Sequence, residues 1–181
     1  MMPRGTPWRG ERDRGEGCTT VRRITRDAVL TAVALIIFIV EAQLPPLAPI
    51  PGVKLGLANI ITVYAMFALG PKDTLAILLV RIFLGSVFAG AVSAMLFSLA
   101  GGLLCYLLML ALRRILTEKQ IWVCGVLGGM VHNLGQLLAA VLLYQTPGLL
   151  AYLPVLLLSG GLAGALTGFA AQLVLQRLNK K

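Results

Sequence analysis

The apolar run Ile121–Tyr144 constrains this chain more than any other stretch. As a helix it is long enough to cross the hydrocarbon core of a bilayer. Its centre is nevertheless polar. His132, the only histidine, is followed by Asn133 and Gln136, and Gly125, Gly128, Gly129 and Gly135 surround them. His132 and Gln136 are four apart and share one helical face, while the glycines leave room for a second backbone or a ligand. Polar side chains at this depth are costly in hydrocarbon and turn toward the protein interior. The run reads as one wall of a polar pocket inside a membrane bundle.

Composition agrees. Of 181 residues, 58% are apolar and only 13% are charged, about half the charged share of a soluble domain. Mean hydropathy is +0.88. The expected class is an all-α integral membrane protein. The +9 net charge does not point to nucleic acid, because the basic residues sit at the ends of apolar runs, where they set topology. Cys18, Cys105 and Cys124 show no CxxC spacing, so neither a disulfide nor a metal is implied and no cofactor is expected.

Residues 1–26, rich in Gly, Arg and Glu, read as a disordered basic cytoplasmic tail, part of it non-native if translation begins later. Its seven arginines serve as a topology signal, with RNA or lipid contact as the alternative. Residues 27–177 form the transmembrane domain, and 178–181 a basic C-terminal tail. Six spans are expected: Ala28–Leu44, Leu55–Gly70, Thr74–Val92, Ser93–Leu112, Ile121–Tyr144 and Tyr152–Gln176. Pro45-Pro46 through Pro51-Gly52, Gly70-Pro71 and Pro147-Gly148 mark turns. The third and fourth spans are separated only around Gly90–Ser93. The first has the apolar core of a signal peptide but no clean cleavage site after it, and is read as retained. With the N-terminus inside, Arg22, Arg23, Arg26, Lys72, Arg113, Arg114, Lys119, Arg177, Lys180 and Lys181 are all cytoplasmic. Lys54 alone falls outside and Arg81 alone within a span. This bias predicts six passes with both ends cytoplasmic.

Candidate binding residues follow from depth. Glu41 lies about 20 Å up the first span from its cytoplasmic end. Lys54 opens the second span from outside, and Asn59 is just over one turn below it. Gln136 is one turn outward of His132. These groups occupy the outer half of the bundle, where an externally open pocket can use them. Each also has a plainer reading. Glu41 and Lys54 can pair across the first external loop, His132 can bond a backbone carbonyl, and Asn59 and Gln136 can join helices. Arg81, about 10 Å into the third span, either snorkels to headgroups or meets an acidic partner or anionic ligand. Residues 49–59, Pro-Ile-Pro-Gly-Val-Lys-Leu-Gly-Leu-Ala-Asn, bring a helix N-terminus and Lys54 together. Free N–H groups there suit a carboxylate or phosphate, with the loop 45–53 as a lid. The small residues Ala28 and Ala32 in the first span, and Gly160, Gly164 and Gly168 in the sixth, permit close packing within the bundle or against another subunit.

Several of these stretches together resemble the bacterial membrane family of heptaprenyl diphosphate synthase component I, also called the Gx transporter family. They are Glu41 before the proline-rich loop, Pro51–Ile60, Arg-Ile-Phe-Leu-Gly (81–85), Ser-Leu-Ala-Gly-Gly-Leu-Leu (98–104) and Val-His-Asn-Leu-Gly-Gln (131–136). The resemblance covers about residues 28–177. Cys105 stands where that family suggests a serine, and the arginine-rich tail is additional. The family is similar to the substrate-binding S components of energy-coupling factor (ECF) transporters. That similarity implies a multi-pass protein of the bacterial cytoplasmic membrane that captures vitamin-like solutes outside. Its expected partners are a transmembrane coupling subunit and ATPase subunits. It also implies that Ala28 and Ala32 match a docking motif on the first helix.

Prenyl diphosphate synthases need clustered aspartates to hold Mg²⁺. Beyond the tail only Asp27 and Asp73 are present, far apart, and no Walker A pattern occurs. The expected role is thus non-catalytic: binding a small, anionic or vitamin-like solute, with Glu41, Lys54, Asn59, Arg81, His132, Asn133 and Gln136 at the site. The alternatives are an accessory subunit of polyprenyl diphosphate synthesis and a solitary proton-coupled carrier using Glu41 and His132. If Lys54 attracts an anionic ligand, Lys54→Ala weakens its binding about tenfold while the melting temperature holds, as titration of the purified variant would read.

Overall fold

The computed structural model describes residues 18–43, 56–90, 92–117 and 120–179. These form six α-helices: α1 (Cys18–Ala42), α2 (Asn59–Ala68), α3 (Pro71–Ala89), α4 (Val92–Leu112), α5 (Ile121–Tyr144) and α6 (Leu153–Asn179). A 3-10 helix, Pro147–Tyr152, leads into α6. The described residues contain no strand. Lys54 and the 45–53 segment lie outside the described residues, as do 1–17 and 180–181.

α4, α5 and the unit of 3-10 helix plus α6 are long and apolar enough to cross a membrane. The outer surface suits lipid. On α6, Leu158, Leu162, Leu166 and Phe169 all point outward, with Leu162 71% and Leu166 72% exposed. Leu142, Phe83 and Val87 continue the apolar exterior on α5 and α3. In water such a surface would far exceed the apolar patches of a soluble monomer. The chain is a membrane protein.

Two helices differ from the sequence expectation. α1 starts at Cys18, so residues 18–26, read as part of a disordered tail, are helical. The cause is visible on its first turns. Arg23 and Arg26 both reach Asp73 at the start of α3, with Arg23 Nε 2.9 Å and Arg26 Nη2 2.8 Å from its carboxylate oxygens. Arg26 Nη2 is also 3.0 Å from Asp27, so the two aspartates expected to lie far apart are bridged by one guanidinium. Asp73 also lies in the first turn of α3, where a negative charge suits the helix dipole. The second span, expected over Leu55–Gly70, is helical only for ten residues. That is about 15 Å, half a hydrocarbon core. Gly56, with φ +81°, holds a left-handed conformation that helix cannot include.

The break between the third and fourth spans falls at Gly90, whose φ of +62° closes α3. At α5, Gln172 of α6 accepts a hydrogen bond from the Trp122 backbone N–H at 3.2 Å, satisfying one of the donors a helix start leaves open.

α5 is the central element, packed between α4 and α6. The glycine ridge Gly160, Gly164 and Gly168 of α6 meets Gly125 and Gly129 of α5. The close-packing partner of that ridge is therefore inside the bundle. On the other side Gly135 faces Gly101 of α4, and Gly128 faces Met109 and Cys105. An apolar core of Met66, Phe67, Leu78, Met109 and Ile121, with Cys105 and Cys124, fills the half nearer the basic helix ends. Glu41, Asn59, Ser98, His132 and Gln136 are buried toward the other half, while Asp73, Thr74 and Gln172 are buried polar residues at the basic end.

Backbone opposition makes the α5–α6 contact testable. A Cβ on Gly164 would lie 2.2 Å from the Gly125 carbonyl oxygen, whereas one on Gly161 meets only the Met130 side chain at 3.5 Å. Gly164→Ala should cost about 3 kcal/mol, the upper range for overpacking. Gly161→Ala should be neutral or gain about 0.5 kcal/mol from helix propensity. Thermal unfolding in detergent distinguishes them, and equal melting temperatures would contradict this packing.

Candidate functional site

Four helices and one turn converge on a small cavity opposite the basic end. Its lining comprises Phe38 and Glu41 from α1, Gly56 before α2, Arg81 from α3, Ser98 from α4, and His132 and Gln136 from α5. The free space there is about 10 Å³, room for about one water.

Local sequence explains each placement. On α1, Thr31, Ala34, Phe38 and Glu41 recur at helical spacing and are the buried face. Phe38 packs on Gly85 of α3, where a Cβ would lie 2.8 Å from the Phe38 ring. Glu41 accepts a hydrogen bond from the Gly56 N–H. Gly56 in turn lies against His132: a Cβ there would be 3.0 Å from His132 Cδ2 and 3.1 Å from Asn59 Nδ2. On α4, Gly101 lets the His132 turn approach, since a Cβ at that position would lie 2.6 Å from the His132 carbonyl oxygen.

The polar atoms are unevenly satisfied. Gln136 Nε2 is 3.1 Å from His132 Nε2, so an amide donating there fixes the imidazole proton on Nδ1. Among the described residues, His132 Nδ1 has only the Gly101 backbone as a neighbouring partner, and Arg81 Nε, both amide atoms of Asn59 and Asn133 Oδ1 are buried without a hydrogen bond. His132, Arg81, Asn59 and Asn133 are only 3%, 5%, 4% and 1% exposed. Each such atom costs about 1–3 kcal/mol when left unmade. Arg81 and Glu41 bring opposite charges to one cavity and act on each other electrostatically.

Of the residues singled out in sequence, Glu41, Arg81, His132 and Gln136 meet in this cavity, and Asn59 adjoins it through Gly56. Arg81 does not snorkel to headgroups; it is an interior residue. Asn133 belongs elsewhere. Its Nδ2 donates to the Leu156 carbonyl at 2.8 Å, which joins α5 to α6. One residue along a helix turns the side chain by about 100°, enough to move it from cavity to helix contact. Lys54 lies outside the described residues. Ala28 and Ala32 are exposed on the outer face of α1.

The free backbone donors expected at the start of α2 are already taken. The N–H groups of Asn59, Ile60 and Ile61 bond to the carbonyls of Gly56, Leu57 and Ala58, at 2.9, 3.1 and 3.3 Å. Sequence reasoning missed Phe38, Ser98 and the left-handed Gly56 as lining. Phe38 had a signal, being three residues before Glu41 on one helical face; Ser98 had its polarity inside an apolar run.

A family model described as heptaprenyl diphosphate synthase component I matches residues 30–174, most of the chain. The chain belongs to this family. The matched region contains every cavity residue named above. Comparison with curated proteins and with solved structures gave no match.

Asn59 separates binding from stability. Asn59→Leu removes two buried, unbonded polar atoms, so stability should hold or rise by about 1 kcal/mol. Small molecules retained by the purified wild-type protein, read by mass spectrometry, should be lost in the variant. A destabilised variant that still retains them would make Asn59 a packing residue.

Proposed function

We propose that this family member is the substrate-binding membrane subunit of an ECF-type transporter in the bacterial cytoplasmic membrane. In this reading it crosses the membrane six times, with the basic end and both termini cytoplasmic. The cavity then belongs to the outer leaflet half, where a vitamin-like solute arrives from outside. The protein binds and does not catalyse. A transmembrane coupling subunit and ATPase subunits supply the driving force, docking on the α1 face that presents Ala28 and Ala32.

One observation carries the reading: buried polar atoms of Asn59 and Arg81, from α2 and α3 and in or beside a single cavity, lack partners. Interhelical hydrogen bonding takes up the Asn133 amide nitrogen, although the oxygen of that residue is unbonded as well. Desolvated donors and acceptors without partners are the state of a site awaiting a ligand that completes them.

The family description favours a second reading, a non-catalytic membrane accessory of heptaprenyl diphosphate synthesis. Against a catalytic version, Asp73 is occupied by Arg23 and Arg26 at the end remote from the cavity. Affinity purification from the native membrane discriminates. ATPase subunits should co-purify, and His132→Leu should lower solute uptake at least tenfold while leaving that assembly intact. A soluble prenyl synthase in place of ATPases would support the accessory role.

A further inference from the structure

The cavity is shut in this structure. Its free space is about 10 Å³, whereas a pocket that holds a small organic molecule measures about 300 Å³ or more. On the reading that the cavity takes up a solute, on which this inference rests, part of its wall must move. We propose that the moving part is the outer end of α1, residues 38–41, a gate held closed by Glu41 on Gly56 and by Phe38 on Gly85.

The rest of the wall has no slack. α5 carries His132 and Gln136 and meets its neighbours backbone to backbone. A Cβ on Gly101 of α4 would lie 2.6 Å from the His132 carbonyl oxygen, and one on Gly129 would lie 2.1 Å from the carbonyl oxygen of Gly160 in α6. Parting these helices would open close contacts along their length and admit lipid beside polar side chains. α3 carries Arg81, and its Leu78 and Ile82 are fixed in the apolar core with Met109.

α1 is held differently. It packs on α3 and α2. At the basic end Arg23 and Arg26 tie it to Asp73. In its middle, Ala34 shares one apolar cluster with Ile61 and Ala65 of α2 and Ile77 of α3. Beyond that cluster, its buried face is Phe38 and Glu41. The Phe38 ring rests on a glycine, so withdrawing it strands no polar atom. The Glu41 carboxylate accepts the Gly56 N–H and acts electrostatically on Arg81. An amide and a guanidinium can both pass to water or to an entering acceptor once the helix end swings out. One short segment thus uncovers Arg81, Ser98 and His132 together, while the Asp73 anchor and the glycine contacts stay in place.

The test asks whether the cavity is shut and what shuts it. Ser98→Cys puts a thiol in the lining at nearly the native size. The full-length variant in lipid nanodiscs is treated with sulfonatoethyl methanethiosulfonate, a charged thiol reagent that needs an aqueous route, and labelled cysteines are mapped by mass spectrometry. The thiol should react slowly. Adding Glu41→Ala should raise its rate about tenfold, the population shift expected from losing a buried charge-assisted hydrogen bond. Glu41→Gln keeps an acceptor for Gly56 and should raise it less. Native Cys105 and Cys124, buried in the apolar core, should stay unlabelled throughout, which separates gate opening from general loosening. A nitroxide pair on Val40→Cys and Leu158→Cys, both exposed on the outer surface, should show a second, longer distance once Glu41→Ala is added.

Fast labelling of the Ser98→Cys protein overturns the gate, as does labelling of Cys105 or Cys124 at the same rate. An unchanged nitroxide distance overturns it whatever the labelling rate, because a smaller side chain alone can widen the cavity. A moving α1 in a protein that co-purifies with a soluble prenyl synthase and no ATPase keeps this inference and overturns the transporter reading. A fixed α1 in a protein that takes up solute with ATPase subunits does the reverse.

Discussion

The close approach of α5 to α4 and α6 underlies the rest of the structure. A helix with His132, Asn133 and Gln136 near its middle cannot face lipid on that side without stranding polar atoms in hydrocarbon. Burying them requires neighbours near enough to exclude lipid, and the small faces of Gly101, Gly125, Gly129, Gly135, Gly160 and Gly164 provide that proximity. Several of these positions put backbone against backbone, with no side chain able to yield. The glycines are thus a condition for the polar residues, since wider spacing would admit lipid or leave voids beside His132.

The same architecture divides the interior. Near the basic helix ends, the core around Phe67, Met109 and Ile121 is apolar and can supply packing energy. Toward the opposite end it gives way to polar atoms that are desolvated and incompletely bonded. Those atoms lower stability, and the apolar half together with the glycine contacts must offset them. A fold selected for rigidity alone would have apolar side chains at Asn59 and Arg81. The unbonded atoms of Asn59 and Arg81 lie in or beside the cavity, where the proposed ligand would offset their cost, and Asn133 Oδ1 lies at the α6 contact.

Much of this was legible from apolar runs and turn residues. The limits of α4 and α5 follow the ends of their apolar runs within a residue, and Gly90 lies in the narrow region where the third and fourth spans had to part. The polar residues destined for the interior were also readable, because hydrocarbon leaves them few other places. What periodicity could not decide was which interior. His132 and Asn133 are adjacent and equally buried, yet one faces the cavity and the other holds α6. Nor could spacing reveal that Gly56 would turn left-handed and give its N–H to Glu41, shortening α2. That depends on a contact between residues 15 apart in sequence. The helical start of α1 likewise depends on Asp73, a partner far along the chain.

α1 joins the two halves of this picture. Its inner face carries Phe38 and Glu41 into the cavity, its first turns are tied to α3 through Asp73, and its outer face exposes Ala28, Ala32, Val33 and Ile36. Its described contacts are with α2 and α3, whereas α5 and α6 are packed backbone to backbone. Displacing α1 would therefore disturb the Glu41–Gly56 bond and the Phe38 wall before it disturbed the glycine contacts. If a partner docks on the outer face of α1, as proposed, it acts on the same helix that closes one side of the cavity. Binding of solute and engagement of partner would then be linked through one rigid element, each altering the other's free energy by the same amount.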